Sequence, residues 1–406
     1  MASCLVCSTA IGPFISFGPM PIANGFLTAE QFGKEHFFNL QAGFCPSCKM
    51  VQLTELVDRE LMFHENYAFY SSTSRRMAAH FQALAAEVQR DHLSESDPFV
   101  VEIGSNDGIM LQHFASGGIR HLGIEPSANV AQAARDKGID TVCAFFDEEL
   151  AKQIVAERGQ ADAFLGANVM CHIPYLHSVA AGIRTLLKPG GVLIFEDPYL
   201  GDIVEKTSYD QIYDEHAFYF SVASVTNLFA QHGMEVVDVQ AQHVHGGSMR
   251  YVIARQGARP VSPAVSQQRL KEDALGLHLP ETFVRLKQNI ERSREQLLAL
   301  LRNLKQQGRR VVGYGATSKS TTVTNYCGIT PDLVEFISDT TPIKQGKFSP
   351  GVHIPVRPYA AFEQQYPDYA LLFAWNHREE IMEKEEQFRH LGGQWIVYVP
   401  QVEVLA

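Results

Sequence analysis

The sequence predicts an α/β protein with two doubly wound parallel sheets behind a small cysteine-rich piece, and three observations support this. Short apolar runs alternate with amphipathic stretches along most of the chain, the pattern of strand–helix–strand units. Two runs pass through a glycine turn into a helical pattern, "FVVEIGSNDGIMLQHF" at 99–114 and "RRVVGYGATSKSTTVTNYCGI" at 309–329. Four of the seven cysteines form two Cys-x-x-Cys pairs, Cys4/Cys7 and Cys45/Cys48.

At 406 residues the chain is too long for one ordinary core. Hydrophobic content of 46% with 19% charged residues is that of a globular rather than a disordered chain. Asp and Glu (45) outnumber Lys and Arg (34), which argues against non-specific nucleic-acid binding but leaves room for a phosphate-bearing small ligand. No apolar run is long enough to span a bilayer, and "MASCLVCSTA" lacks a basic region followed by an apolar stretch. No membrane partner is expected, and a cytoplasmic location is favoured.

Residues 1–62 are rich in turns. In a reducing compartment paired cysteines point to metal rather than disulfides, and Cys4, Cys7, Cys45 and Cys48 would close a tetrahedral Zn2+ site with no position open for chemistry. Such a structural metal would help fold a piece too small for a large core.

Residues 63–258 read as the first doubly wound unit, with strands in "FVVEI", "HLGIEPS", "ADAFLGANVMCHI" and "GGVLIFEDPYL". In "EIGSNDG", Gly104 and Gly108 let backbone approach a ligand, and Glu125 at the end of the next strand is placed to accept from a ribose diol. Ser105-Asn106-Asp107 replaces the second glycine of a dinucleotide fingerprint. Glu102 and Asp107 would repel a pyrophosphate but suit a cationic sulfonium. Together with Asn168 and the "LLKPGGVLIFEDP" strand in order, this predicts a class I methyltransferase sheet that binds S-adenosylmethionine.

Residues 259–310 form a helical connector. Phe283, Leu286, Ile290, Leu297, Leu300 and Leu301 recur near helical spacing in one long helix ending at Gly308. The heptads are too few to demand a coiled coil, so a monomer or weak dimer is expected. Residues 311–406 read as a second, smaller Rossmann-like unit. "GYGATSKS" nearly fits a P-loop, but Ser318 stands where its second glycine belongs. The same backbone amides, with Tyr314 and Lys319, suit a diphosphate held without hydrolysis. Asp339, Lys344, Lys347 and His353 follow on a loop expected opposite.

The combination "CLVC…CPSC", "EIGSNDG", "NVMCHIP", "FEDPYL", "YDEH", "HVHGGSMRY", "GYGATSKS…NYCGI" and "AWNHREEI" resembles the zinc-containing sugar C-methyltransferases of deoxysugar biosynthesis, most closely their tetronitrose-pathway branch. The resemblance spans essentially the whole chain. It implies C-methylation at C-3 of a nucleotide-diphosphate 4-keto-6-deoxy sugar, with the C-terminal unit holding the nucleotide sugar. By resemblance His216 is the base, Glu215 and Tyr213 complete its motif, and His172 and Tyr67 (or Tyr70) lie around the sugar. Asp214 is expected to face solvent.

The chemistry agrees. The C-3 proton is acidic only because a ketone sits at C-4, so a base must remove it while a donor steadies the enolate oxygen. Histidine titrates near ~6.5 and can serve, with His172 the first alternative to His216. His243 and His245 have a spacing that could suit a metal, but Gly246, Gly247 and Arg250 favour an acceptor-side loop containing His245 and Arg250. Methylation at a sugar oxygen or nitrogen, and a non-catalytic zinc-containing binding module, are the other readings.

Overall fold

Five strands, Leu187–Pro198, Ala161–Ala167, Phe99–Ile103, Arg120–Ile124 and Thr141–Val142, lie side by side in parallel in that order. Two antiparallel strands, Ser248–Arg255 and then Met234–Gln242, extend the sheet beyond Leu187–Pro198. This computed structural model describes residues 2–58, 62 and 75–405, so Tyr67 and Tyr70 lie outside the described residues. The strands are buried on both faces. Val101, Ile103, Phe164 and Leu193 pack into one core, while Val100, Ala163, Leu165 and Ile194 pack into the other. That period-2 alternation of apolar residues is why the runs read as continuous apolar stretches.

The strand Phe99–Ile103 lies between Arg120–Ile124 and Ala161–Ala167, so chain order reverses there. Val311–Tyr314 occupies the same position in a six-stranded C-terminal sheet, between Ile337–Asp339 and Tyr369–Leu372. Each reversal opens a crevice at the carboxyl ends of its strands. The helix Pro280–Gln306 lays Phe283, Leu286, Ile290, Leu297 and Leu301 into the C-terminal core, with Leu300 half-buried beside them. Each fully buried side chain of this kind contributes ~1.5–3 kcal/mol.

The N-terminal piece joins the two units. Its strands Pro13–Pro21, Phe37–Phe44 and Val51–Leu53 form an antiparallel sheet completed by Phe218–Tyr219 from the middle of the chain. This sheet is therefore not confined to the first 62 residues. Phe44 stacks on Phe283 of the long helix at 4.5 Å, whereas Cys4, Cys45, Cys48 and Met50 share a core with Phe218 and Val225.

Candidate active site

The two crevices face one another across a cavity of about 1880 Å³. A single ligand pocket is usually ~300–1,000 Å³, so this volume accommodates a cofactor and a large acceptor together. Gly104, Asn106, Glu125 and Asn168 line one side. Gly104 has φ +61, and a Cβ there would lie 2.6 Å from the Val169 side chain, so the tight turn requires glycine. Glu125 accepts from the backbone N–H groups of Asn106 (3.1 Å) and Ser127 (2.8 Å), which orients its carboxylate at the cavity wall. The chemistry of this set fits S-adenosylmethionine: a fixed carboxylate that can accept from a diol, beside a glycine turn that leaves room for a ligand.

Glu102 and Asp107 do not supply the negative charge expected of them. Neither lines the cavity. Asp107 is paired with Lys137 at 2.8 Å. Burial, reinforced by Glu125 and Asp107, pushes the Glu102 carboxyl well above the usual range, which favours its neutral form. Gly108 also lies off the cavity; its φ of +78 and close approach to Ile139 shape the loop.

Tyr213, Glu215 and His216 line the cavity from a turn just before the Phe218–Tyr219 strand. His216 Nδ1 lies 2.8 Å from the Gln211 carbonyl, which can only accept, so Nδ1 carries the proton. Nε2 is then the acceptor, and the Tyr213 hydroxyl donates to it at 2.8 Å. Burial, then His172 and Lys319, hold the His216 pKa well below its ordinary value. The rings of His172 and His216 are 5.1 Å apart. Glu215 accepts from Asn24 Nδ2 at 2.6 Å; burial raises its pKa, against the pull of Asn24, Lys344 and Lys319. Asp214 does not face solvent. It is buried, accepts from the Ala23 N–H at 3.0 Å, and burial beside Glu215 pushes its pKa up to about 8.

Burial lowers the His172 pKa to about 4 and the His245 pKa to about 3. Between these values and ~6.5 the unfolded chain binds protons that the folded one does not, so stability falls as pH falls through this window. Buried carboxyls such as Asp214 act in the opposite sense, so the test is the difference: His172→Gln is expected to lose less melting temperature than the wild type between pH 7 and pH 4.5. An equal slope for the variant would remove His172 from the account.

His245 adopts a left-handed conformation (φ 56) and brings Nε2 to 2.5 Å from Asn168 Nδ2, linking its loop to the end of the Ala161–Ala167 strand. From the C-terminal sheet, Lys319, Asp339, Lys344 and Lys347 line the opposite wall. Thr317 caps the Ser318–Cys327 helix through the Ser320 N–H and places Lys319 in its first turn, where Thr317, Ser318 and Lys319 line the cavity. Asp339 accepts from the backbone N–H groups of Ala316 (2.6 Å) and Thr341 (2.7 Å), so it organises the loop. Burial lowers the pKa of Lys319, while Asp210 and Glu215 oppose that shift.

Three expected substrate residues lie elsewhere. Arg250 is buried between Glu196 and Glu87, at 2.6 Å from each, as a charge hub within the sheet. Tyr314 donates to the buried Glu385 at 2.7 Å, inside the C-terminal core. His353 pairs with Glu35 at 2.7 Å and stacks on Phe32, fastening the N-terminal piece. In contrast, Asn24, Gln211, Trp375 and His377 line the cavity without having been singled out. "AWNHREEI", directly after an apolar strand, was the available signal for the last two.

Off the cavity wall, the sulfur atoms of Cys4, Cys7, Cys45 and Cys48 all lie within 4.8 Å of one another. The Cys4–Cys48 and Cys7–Cys45 sulfurs are each 3.4 Å apart. A zinc–thiolate tetrahedron with ~2.3 Å bonds has edges of about 3.8 Å, so the set fits Zn2+. The knuckles are anchored through their carbonyls: His177 Nε2 lies 2.8 Å from Val6 O, and Asn227 donates to Cys48 O at 2.9 Å.

Sequence profiles of three kinds tile the chain: a zinc binding domain over 4–63, a methyltransferase domain over 71–239, and a C-methyltransferase C-terminal domain over 243–400. C-methyltransferase NovU of Streptomyces niveus is 35% identical over 97% of this chain and 94% of its own length. A ubiquinone biosynthesis O-methyltransferase of Nitrosococcus oceani is 26% identical over 114 residues, 28% of this chain and 48% of its own. Among solved structures, the PH0226 protein of Pyrococcus horikoshii OT3 aligns at 14% identity over 47% of this chain and 95% of its own, with a TM-score of 0.37.

Proposed function

The chain belongs to the C-methyltransferase family and is an S-adenosylmethionine-dependent enzyme, and from that premise we propose that it methylates C-3 of a nucleotide-linked 4-keto-6-deoxy sugar, with His216 as the base. One observation carries this reading: a neutral histidine, its Nδ1–H fixed on a carbonyl and its Nε2 accepting from the Tyr213 hydroxyl, lines a cavity shared by the two crevices. Bound at the Glu125 wall, S-adenosylmethionine supplies an electrophilic methyl group.

The remaining work falls to the protein. The Tyr213 hydroxyl turns from Nε2 to the carbonyl oxygen at C-4, which frees the Nε2 lone pair to take the C-3 proton while Tyr213 donates to the developing enolate oxygen. His172, held neutral by burial, is the second group at that position. Lys319, with the amides of its helix start, takes the diphosphate. Neutralising Lys319 also removes one of the charges that depress His216, so the base strengthens when the sugar nucleotide is seated.

Tyr67, expected beside the sugar, lies outside the described residues. The test is deuterium uptake at C-3 from heavy water without S-adenosylmethionine, run over a panel of nucleotide 4-keto sugars with methylation read as a mass shift. Methylation without prior exchange would redirect the reading to a sugar oxygen or nitrogen. Lys319→Met is expected to weaken nucleotide-sugar binding ~10–100-fold, the loss of a charged hydrogen bond, with S-adenosylmethionine affinity unchanged. It should also move the acidic limb of the pH–rate profile upward, because a cation beside His216 is gone.

A further inference from the structure

The residue before Gln211 is gripped by the C-terminal unit. Asp210 is fully buried and off the cavity wall. Its Oδ2 accepts both from Trp375 Nε1 at 2.6 Å and from the Tyr398 hydroxyl at 2.8 Å. Its Oδ1 has no hydrogen-bond partner among the described residues, while the Lys319 cation acts on the same carboxylate.

Gln211 connects this anchor to the chemistry. Its carbonyl accepts the His216 Nδ1–H, and its side chain donates to the His245 carbonyl at 2.6 Å. The Trp375 ring lies against Gly246, next to His245; a Cβ at Gly246 would come within 2.3 Å of it. Thr322, on the Lys319 helix, also donates to the Ile212 carbonyl at 3.0 Å. Among the described residues, the contacts that orient the His216 turn thus come largely from outside the methyltransferase sheet.

We propose that Asp210 is a positioning residue: by anchoring the Gln211 peptide against Trp375 and Tyr398, it fixes the Nδ1–H tautomer of His216 and makes the base competent only when the C-terminal unit is docked. A histidine free to hold its proton on Nε2 would present a donor to C-3 and could not take the proton. The inference rests on the reading of His216 as base, but its main readout does not require turnover.

That readout is the tautomer of His216, followed by 15N NMR of histidine-labelled protein. The wild type should show the Nδ1–H form, and Asp210→Ala a mixture of the two. Asp210→Ala should also lower kcat and C-3 exchange ~100-fold, the scale of a small misplacement at a reacting centre. The sugar KM and S-adenosylmethionine affinity should move less than ~3-fold. Asp210→Asn keeps an oxygen for both donors and should restore tautomer and rate.

Should Asp210→Ala fail to fold, Trp375→Phe combined with Tyr398→Phe removes the same two donors and should give the same mixture. An unchanged tautomer in the folded variants would overturn the proposal, as would equal losses of cofactor affinity and kcat with the tautomer intact. If His216→Ala retains C-3 exchange while Asp210→Ala still shifts the tautomer, the identity of the base is wrong but the anchoring stands.

Discussion

His216→Ala is expected to abolish C-3 exchange and to lower kcat by ~10²–10⁴-fold, the usual contribution of a positioned general base, while S-adenosylmethionine still binds. The two losses should coincide because they are the same step. On the proposed mechanism the methyl donor cannot be used until the C-3 proton is gone, and exchange reports that removal alone. Cofactor affinity should hold because the His216 hydrogen bonds run to Tyr213 and Gln211, whereas the proposed methyl-donor wall is Gly104, Asn106 and Glu125. The variant leaves a small cavity in a buried turn, so the melting curve must be measured beside the kinetics. Exchange that survives in His216→Ala and disappears in His172→Ala would transfer the role to His172. Tyr213→Phe should retain exchange in part, since it removes the donor to the enolate and leaves the base.

What the sequence disclosed depended on whether the information was local. The two glycine turns and the four cysteines announce themselves by spacing. The alternating apolar runs are set by the pleat, and both sheets were legible from them. Side chains whose direction depends on distant partners were not. Arg250 sits directly opposite Glu196 in the strand ladder, and which face such a pair takes is decided by register rather than by composition. Tyr314 and His353 are likewise drawn away from the cavity by carboxylates at Glu385 and Glu35. Asp214 looked solvent-facing because its partner, the Ala23 N–H, is 191 residues away. Gln211 was missed for a related reason: its role lies in a main-chain carbonyl, which no residue type reveals.

Stripping the metal, or replacing Cys45 with Ser, is expected to lower the melting temperature by about 6–20 °C. Apparent binding energies of structural zinc are ~10–16 kcal/mol in isolated fingers. Only part of that should be lost here, because Cys4, Cys45 and Cys48 also pack in a core with Phe218 and Val225, which remains apolar without metal. A residual loss of ~3–5 kcal/mol, at ~2–4 °C per kcal/mol for a unit of 150–250 residues, gives the expected shift. The damage should follow a definite route. The Cys45–Cys48 knuckle runs directly into Val51–Leu53, which pairs with Phe218–Tyr219, and the Leu53 N–H donates to the Ala217 carbonyl at 2.9 Å. Ala217 follows His216. Activity should therefore decline with temperature in step with the loosening of this sheet, while kcat measured well below the transition stays close to that of the wild type. Loss of kcat at low temperature with an intact melting curve would assign the metal to chemistry. An unchanged melting curve in protein shown by elemental analysis to be metal-free would remove its structural role altogether.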